Sequence, residues 1–251
     1  MTTARGPQRV DGWTAAVRQR LGLGRLLPLG GPADGAWIAE TAAAAVLRGA
    51  TARPGTVLGK LRIGPTEEAV EAAVAGSRDA TRDPAEPVPP PAPPNALPPV
   101  SLRIEAEFST TPDRPLPDAA AALRAALLAA AAARLGLEIA EVDLTVTALL
   151  EDGTPDQVMA AETAPAARVA EPEGAVATAA AGVPGVVSLT RVLGGPVHTA
   201  PDHVRVEVAA AGDHRALDVA RSVRTAVAAA MADRLPVSVL VTDVVEPGSG
   251  S

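Results

Sequence analysis

Apolar and polar positions alternate with period two over 100–108. Leu102, Ile104, Ala106 and Phe108 point one way, and Arg103, Glu105 and Glu107 the other. That pattern predicts a half-buried strand. Val204, Val206 and Val208 alternate in the same manner with Arg205 and Glu207. Both Arg-x-Glu pairs are therefore expected on a solvated face. Val142, Leu144 and Val146 mark another strand within 139–150, and 57–63, 186–193 and 237–245 read as shorter apolar strands. A helical period replaces this alternation over 118–135, where Leu123, Leu127, Ala131 and Leu135 recur every four residues. Pro precedes the cap, Asp118 stands at it, and Gly136 follows the end. Val223, Val227, Met231 and Leu235 do the same over 217–235. Ala-rich stretches at 36–49 and 175–181 predict two further helices, and 67–75 a short acidic one.

Gly and Pro mark the breaks. Nine of the sixteen residues in 84–99 are Pro, which predicts an extended polyproline segment unable to join a sheet or helix. Residues 21–32 carry enough Gly and Pro to predict no regular element. A second linker is expected over 152–170 and a tail over 247–251.

The predicted elements fall into two series of the same order: helix, strand, strand, helix, strand. Identities accompany the order. Pro54-Gly55 and Pro184-Gly185 open the first strands, and Gly64-Pro65 and Gly195-Pro196 close them. Arg103-Ile104-Glu105 answers to Arg205-Val206-Glu207. Asp118, Arg124, Arg134 and Leu135 answer to Asp218, Arg224, Arg234 and Leu235. The closing strands share Val-Thr-x-x-x-Glu, at 146–151 and 241–246. Between Pro54 and Arg103 the first series is 28 residues longer than the second is between Pro184 and Arg205. That excess is about the size of the acidic and Pro-rich stretch, 66–99, which is read as an insertion. The expected fold is α+β: two pseudo-repeated modules, 36–151 and 171–246, each a small sheet with helices on one face. The first carries a loop insertion, and a separate basic and apolar segment, 1–35, precedes both.

Composition narrows the chemistry. The chain of 251 residues has no Cys, no Tyr, one Phe and two Trp, with 25 Pro and 22 Gly. Without Cys there is no zinc-thiolate site, iron–sulfur cluster, disulfide framework or cysteine nucleophile. An aromatic content of 1% leaves no platform for stacking bases, and a net charge of −7 opposes nucleic-acid binding. His198, His203 and His214 lie close in sequence but lack the i, i+4 spacing of a helical metal motif, so they read as solvated and no metal is expected. The Gly residues of 21–31 form no phosphate-cradling motif, and no cofactor is expected. Glu67, Glu68 and Glu71 read as a solvated helix face. No secretory signal is visible at the N-terminus, and the most apolar run, 119–133, reads as an ordinary helix rather than a span.

The N-terminal segment holds the candidate contact residues. Trp13, Val17 and Leu21 recur at helical spacing, Arg18, Arg20 and Arg25 flank them, and Leu26 and Leu27 follow. Such a set suits docking on the domain, on a partner protein or on a membrane surface.

The second module resembles the alkaline shock protein family of Gram-positive bacteria. The features are a helix ending in Val183-Pro184-Gly185-Val186 and a last strand, 237–244, of the type Val-x-Val-x-Val-x-Asp-Val. The first module fits less closely, with Arg53-Pro54-Gly55-Thr56 at that turn. The whole chain also looks like actinobacterial proteins grouped by label with a baculovirus fibrillar-body protein, a likeness that a Pro-rich segment attracts and that implies no function. The alkaline-shock resemblance implies a non-enzymatic, oligomeric, envelope- or stress-associated role and carries over no catalytic residue. The expectation is a cytoplasmic protein, membrane-proximal at most, that works through other proteins or a second copy of itself. Two rivals stand beside it: a KH-like RNA-binding module, and an enzyme with its site between the two copies.

Overall fold

The computed structural model describes residues 22–76, 89–150 and 168–247. The chain is mixed α+β with two sheets. Its elements are β1 (Leu26–Leu29), β2 (Ala36–Ala39), α1 (Glu40–Thr51), β3 (Thr56–Pro65), α2 (Glu67–Gly76), β4 (Leu102–Thr110), α3 (Leu116–Ala130), β5 (Ile139–Leu149), β6 (Val169–Ala170), α4 (Gly174–Ala181), β7 (Val186–Thr190), β8 (Val197–Thr199), β9 (Val204–Ala211), α5 (Ala216–Ala230) and β10 (Val237–Val245). A single π turn, Ala131–Leu135, extends α3.

The smaller sheet has the order β3-β4-β5, with β3 antiparallel to β4 and β4 parallel to β5. The larger runs β1-β2-β10-β9-β7-β6, with β8 also paired to β9. Within it β7 is antiparallel to β9 and β9 parallel to β10. The segments 40–149 and 174–245 thus share a core order of elements and the same pairing senses. The β4–β5 and β9–β10 pairs also share a bulge at one corresponding place. The register steps from Phe108↔Val146 to Ser109↔Ala148, and from Val208↔Val241 to Ala209↔Asp243, which leaves Thr147 and Thr242 as the extra residues. Each threonine hydroxyl donates across the bulge, Thr147 to the Phe108 carbonyl at 3.3 Å and Thr242 to that of Val208 at 3.2 Å.

Helix α1 touches both β3 and β10, and α3 rests on α1 and β5. Helix α5 rests on β10 and β9 and also meets β2 and the π turn. The leucines of α3 at 123, 127 and 135 are buried, as are Val219, Val223 and Val227 of α5. By length and composition alone, the stretch Leu116–Leu135 could cross a membrane. Here its apolar stripe is turned to α1 and β5. The end of α3 and the start of α5 fit closely at Gly136, whose φ of 87° favours glycine and where a Cβ would come within 2.5 Å of Leu217.

Several expectations change. Residues 36–39 form a strand, not the start of a helix, because Trp37 and Ile38 pair with Leu240 and Val241 of β10. β-propensity and a tertiary partner there outweigh the helical preference of the surrounding alanines. Residues 26–29 form β1 despite Pro28. A strand at the end of the sheet can lack one amide, and β2 is the strand that pairs along the length of β1. Segment 22–35 is therefore built into the second sheet. The Pro-rich stretch also joins it: Ala96 bridges to Leu26, and the Leu97 amide donates to the Leu26 carbonyl at 2.8 Å. Both are non-proline residues with amides to give. Strand β7 ends at Thr190, short of the expected 193, and the short strands β6 and β8 are additional. Helix α5 stops at Ala230, so Met231 and Leu235 lie beyond it.

Candidate functional site

The cleft of interest opens where β3 hands over to α2. It has a volume of about 590 Å³ and is lined by Arg25, Arg62 and Arg103 facing Glu67, Glu71 and Glu105. Gly64 and Pro65 are the last residues of β3, and the Thr66 hydroxyl accepts from the Ala69 amide, which starts α2. Helix α2 leans away from the body: Val70 is 45% and Val74 53% exposed. Glu67, Glu68 and Glu71 are exposed, as the solvated-face reading expected.

Most of these charges are matched. Arg25 donates from Nε and Nη2 to the Glu40 carboxylate at 3.3 and 3.2 Å. The same carboxylate accepts from the Ile63 amide at 3.0 Å and the Arg25 amide at 3.3 Å. Burial alone would raise the Glu40 pKa. The Arg25 guanidinium and the two amides outweigh it and hold the carboxyl below its ordinary range. Arg103 pairs with Glu105 and lies 3.6 Å from Glu67. Hydrogen bonding to Arg103 lowers the Glu105 pKa, and the same bond raises that of Arg103. A general acid needs a raised carboxyl pKa, and the shifts of Glu40 and Glu105 are in the opposite direction.

Of the expected contact residues, Trp13, Val17, Arg18, Arg20 and Leu21 lie outside the described residues. Arg25 is committed to Glu40. Leu26 and Leu27 are 2% and 0% exposed, inside the core with β2, so in this fold they offer no face to a partner or a membrane. Sequence reasoning treated the stretch as irregular and left docking on the domain, on a partner or on a membrane open; Leu26 and Leu27 dock on the domain.

The histidines form two separate groups. His198 and His203 sit with ring centroids 6.2 Å apart before β9, and His214 follows β9. Nδ1 of His203 donates to Asp202 and Nδ1 of His214 to Asp213, each at 2.8 Å. These bonds lower the pKa of both aspartates. Among the described residues no group of three His, Asp or Glu is placed to hold a metal ion.

The largest departure from expectation lies on β9. Arg205 is 8% and Glu207 0% exposed, so the face expected to meet solvent is covered. The Glu207 carboxylate accepts from the Val192 amide at 2.7 Å and the Leu193 amide at 3.1 Å, and Arg205 lies 3.8 Å from it. The segment after β7 thus folds onto this face. Alternation along β9 could not disclose that cover, because it comes from residues outside the strand.

Sequence reasoning also missed the state of β5. Val146 is 38% and Leu149 57% exposed, and Leu128 of α3 is 36% exposed. β5 ends its sheet, with β4 on one side and no strand on the other among the described residues. The Nε of Arg124 donates to the Val142 carbonyl at 3.2 Å. Its positional counterpart Arg224 instead reaches the Ala33 carbonyl, in the turn between β1 and β2, and Arg221 holds Asp34 beside it at 2.8 Å. No family model, curated protein or solved structure matches this chain.

Proposed function

We propose that this chain is a non-enzymatic interaction protein, built from two diverged copies of one helix-strand-strand-helix-strand unit, and that it acts by offering the uncovered strand of the first copy to a protein partner. The equal pairing senses and the two threonine bulges support the duplication. They also adjust its alignment. Phe108 and Val208 hold the same place, one hundred positions apart, as do Asp118 and Asp218. Glu107 rather than Glu105 then stands where Glu207 does. The Pro-rich stretch falls between the second and third elements of the first copy, as an insertion would.

One observation carries the functional reading. Val146 and Val241 occupy the same place before the bulge, yet Val146 is 38% exposed and Val241 0%. Strand β10 is covered by the β1–β2 hairpin and α1, and among the described residues β5 has no such cover. Exposed apolar side chains beside an unpaired strand edge form a surface that recruits another chain. The setting we assign is cytoplasmic, with an envelope- or stress-linked role carried by the alkaline-shock resemblance.

Cross-linking with mass spectrometry, on wild type and on the double variant Val146→Asp/Leu149→Asp, tests this. Cross-links from 139–149 to a protein, itself or another, should appear in wild type and vanish in a variant of unchanged circular dichroism. Identical cross-links in both, or turnover of a small molecule abolished by one substitution elsewhere, would overturn the reading.

A further inference from the structure

Resting on that reading, we propose that the partner of β5 is a second copy of this chain, paired antiparallel across a two-fold axis through Leu144, so that two three-stranded sheets become one of six strands. Strand β5 carries bulges at both ends, with Ala140 and Thr147 as the extra residues. Between them, 141–146 is regular strand. Only registers that oppose residues of equal face are allowed, because a slip by one residue would set Val142 of the inner face against Thr145 of the outer.

Charge then selects among the remaining registers. An axis at Asp143 would set Asp143 against itself, and one at Val142 would set Glu141 against Asp143, both like-charged pairs that cost stability. With the axis at Leu144, Asp143 meets Thr145, Glu141 meets Thr147, Val142 meets Val146, and Leu144 meets its own copy. No like charges face each other, and all five residues 142–146 are paired. An axis at Thr145 also avoids like charges but keeps only three of those residues in the regular stretch. The apolar pairs lie on the row that holds Val142, 8% exposed, and Val146, 38% exposed. Leu128 extends this surface from α3, which packs on β5.

The corresponding edge within the chain shows that such a strand accepts an addition. Strand β10 takes β2 along its far side through Val239↔Ala36, Leu240↔Trp37 and Val241↔Ile38. The chain spends that hairpin on β10 and has no second one among its described residues for β5. In the free chain Arg124 satisfies the Val142 carbonyl, which keeps the edge from standing wholly bare.

The chain has no Cys, so a single introduced thiol reports on the axis without interference. In an antiparallel pair, opposed Cα atoms lie about 4.5–5.5 Å apart, within disulfide reach. The full chain should show a monomer–dimer equilibrium in sedimentation. Val146→Asp should weaken it by about tenfold or more, since the charge enters the joint twice. Under mild oxidation Leu144→Cys should form a covalent dimer, and Thr145→Cys should not. A wild-type chain that stays monomeric at every concentration overturns the proposal, and does so even if Leu144→Cys fails to fold. A dimer indifferent to Val146→Asp, or equal cross-linking of both cysteines, overturns it as well. Where wild type is monomeric but 139–149 still cross-links to another protein, the self-pairing fails and the interaction reading survives.

Discussion

Val146 and Val241 precede the same kind of threonine bulge in β5 and β10, and the two strands lead different lives. β10 is flanked on both sides, by β9 and β2, and its residues from Val237 to Thr242 are all buried. Among the described residues β5 is flanked by β4 alone, and most of its residues are exposed. The neighbouring strands differ likewise: Glu207 of β9 is wholly buried, whereas Glu107 of β4 is exposed. Similar local sequence therefore produces either a core strand or a surface strand. The deciding factor is what the rest of the chain lays over it: the hairpin 26–39 on one edge and residues 191–193 on the other face.

The strongest test of that difference is the pair of glutamates. Glu207→Ala removes the acceptor of two amides and leaves Arg205 buried without its counter-charge, so unfolding by urea should show a loss of about 3–5 kcal/mol. Glu107→Ala should stay within about 0.5 kcal/mol. Equal losses would show that the face of β9 is not specially covered. Next come the valines. Val241→Ala should cost about 1.5–3 kcal/mol and Val146→Ala less than about 1 kcal/mol, in the same titration.

A smaller effect concerns how the hairpin is tied to α1. The folded Glu40 pKa lies below the ordinary 4.5, so this pair stabilises the fold above that value. The contribution is lost as pH falls through the lowered folded pKa. Thermal melts of wild type should drop over that acidic window, and Glu40→Gln should remove this part of the slope. An unchanged slope would break the assignment. The smallest expected effect is Arg221→Ala. Arg221 is half exposed, so freeing Asp34 and the hairpin turn should cost at most about 1 kcal/mol.

Much of the fold was legible because its signals are local. The alternation of Leu102, Ile104, Ala106 and Phe108 set β4, and the four-residue period with Gly136 at its end set α3 and its stop. The first long helix with its π turn and the last strand fell close to their expected bounds, whereas the second long helix stopped five residues early. Residues 26–29 and 36–39 were not legible. Each is only four residues long, and each is a strand because a sheet edge awaits it, not because of its own pattern. The burial of Arg205 and Glu207 was hidden for a related reason: period two reports that a strand has two faces, not whether the second is covered. The site was less legible still. Arg25 meets Glu40 and Arg103 meets Glu67 across long separations, and an unpaired edge leaves no mark in the sequence of its own strand.

On the proposed duplication β5 and β10 are equivalent strands, and among the described residues only β5 of the two has an unpaired edge. Peptide-resolved hydrogen exchange at a low and a high protein concentration addresses it directly. Peptides spanning 237–245 should be strongly protected at both concentrations, and peptides spanning 139–149 should exchange quickly when dilute and gain protection when concentrated. Protection of 139–149 equal to that of 237–245 in dilute solution, or no gain with concentration, would contradict the account.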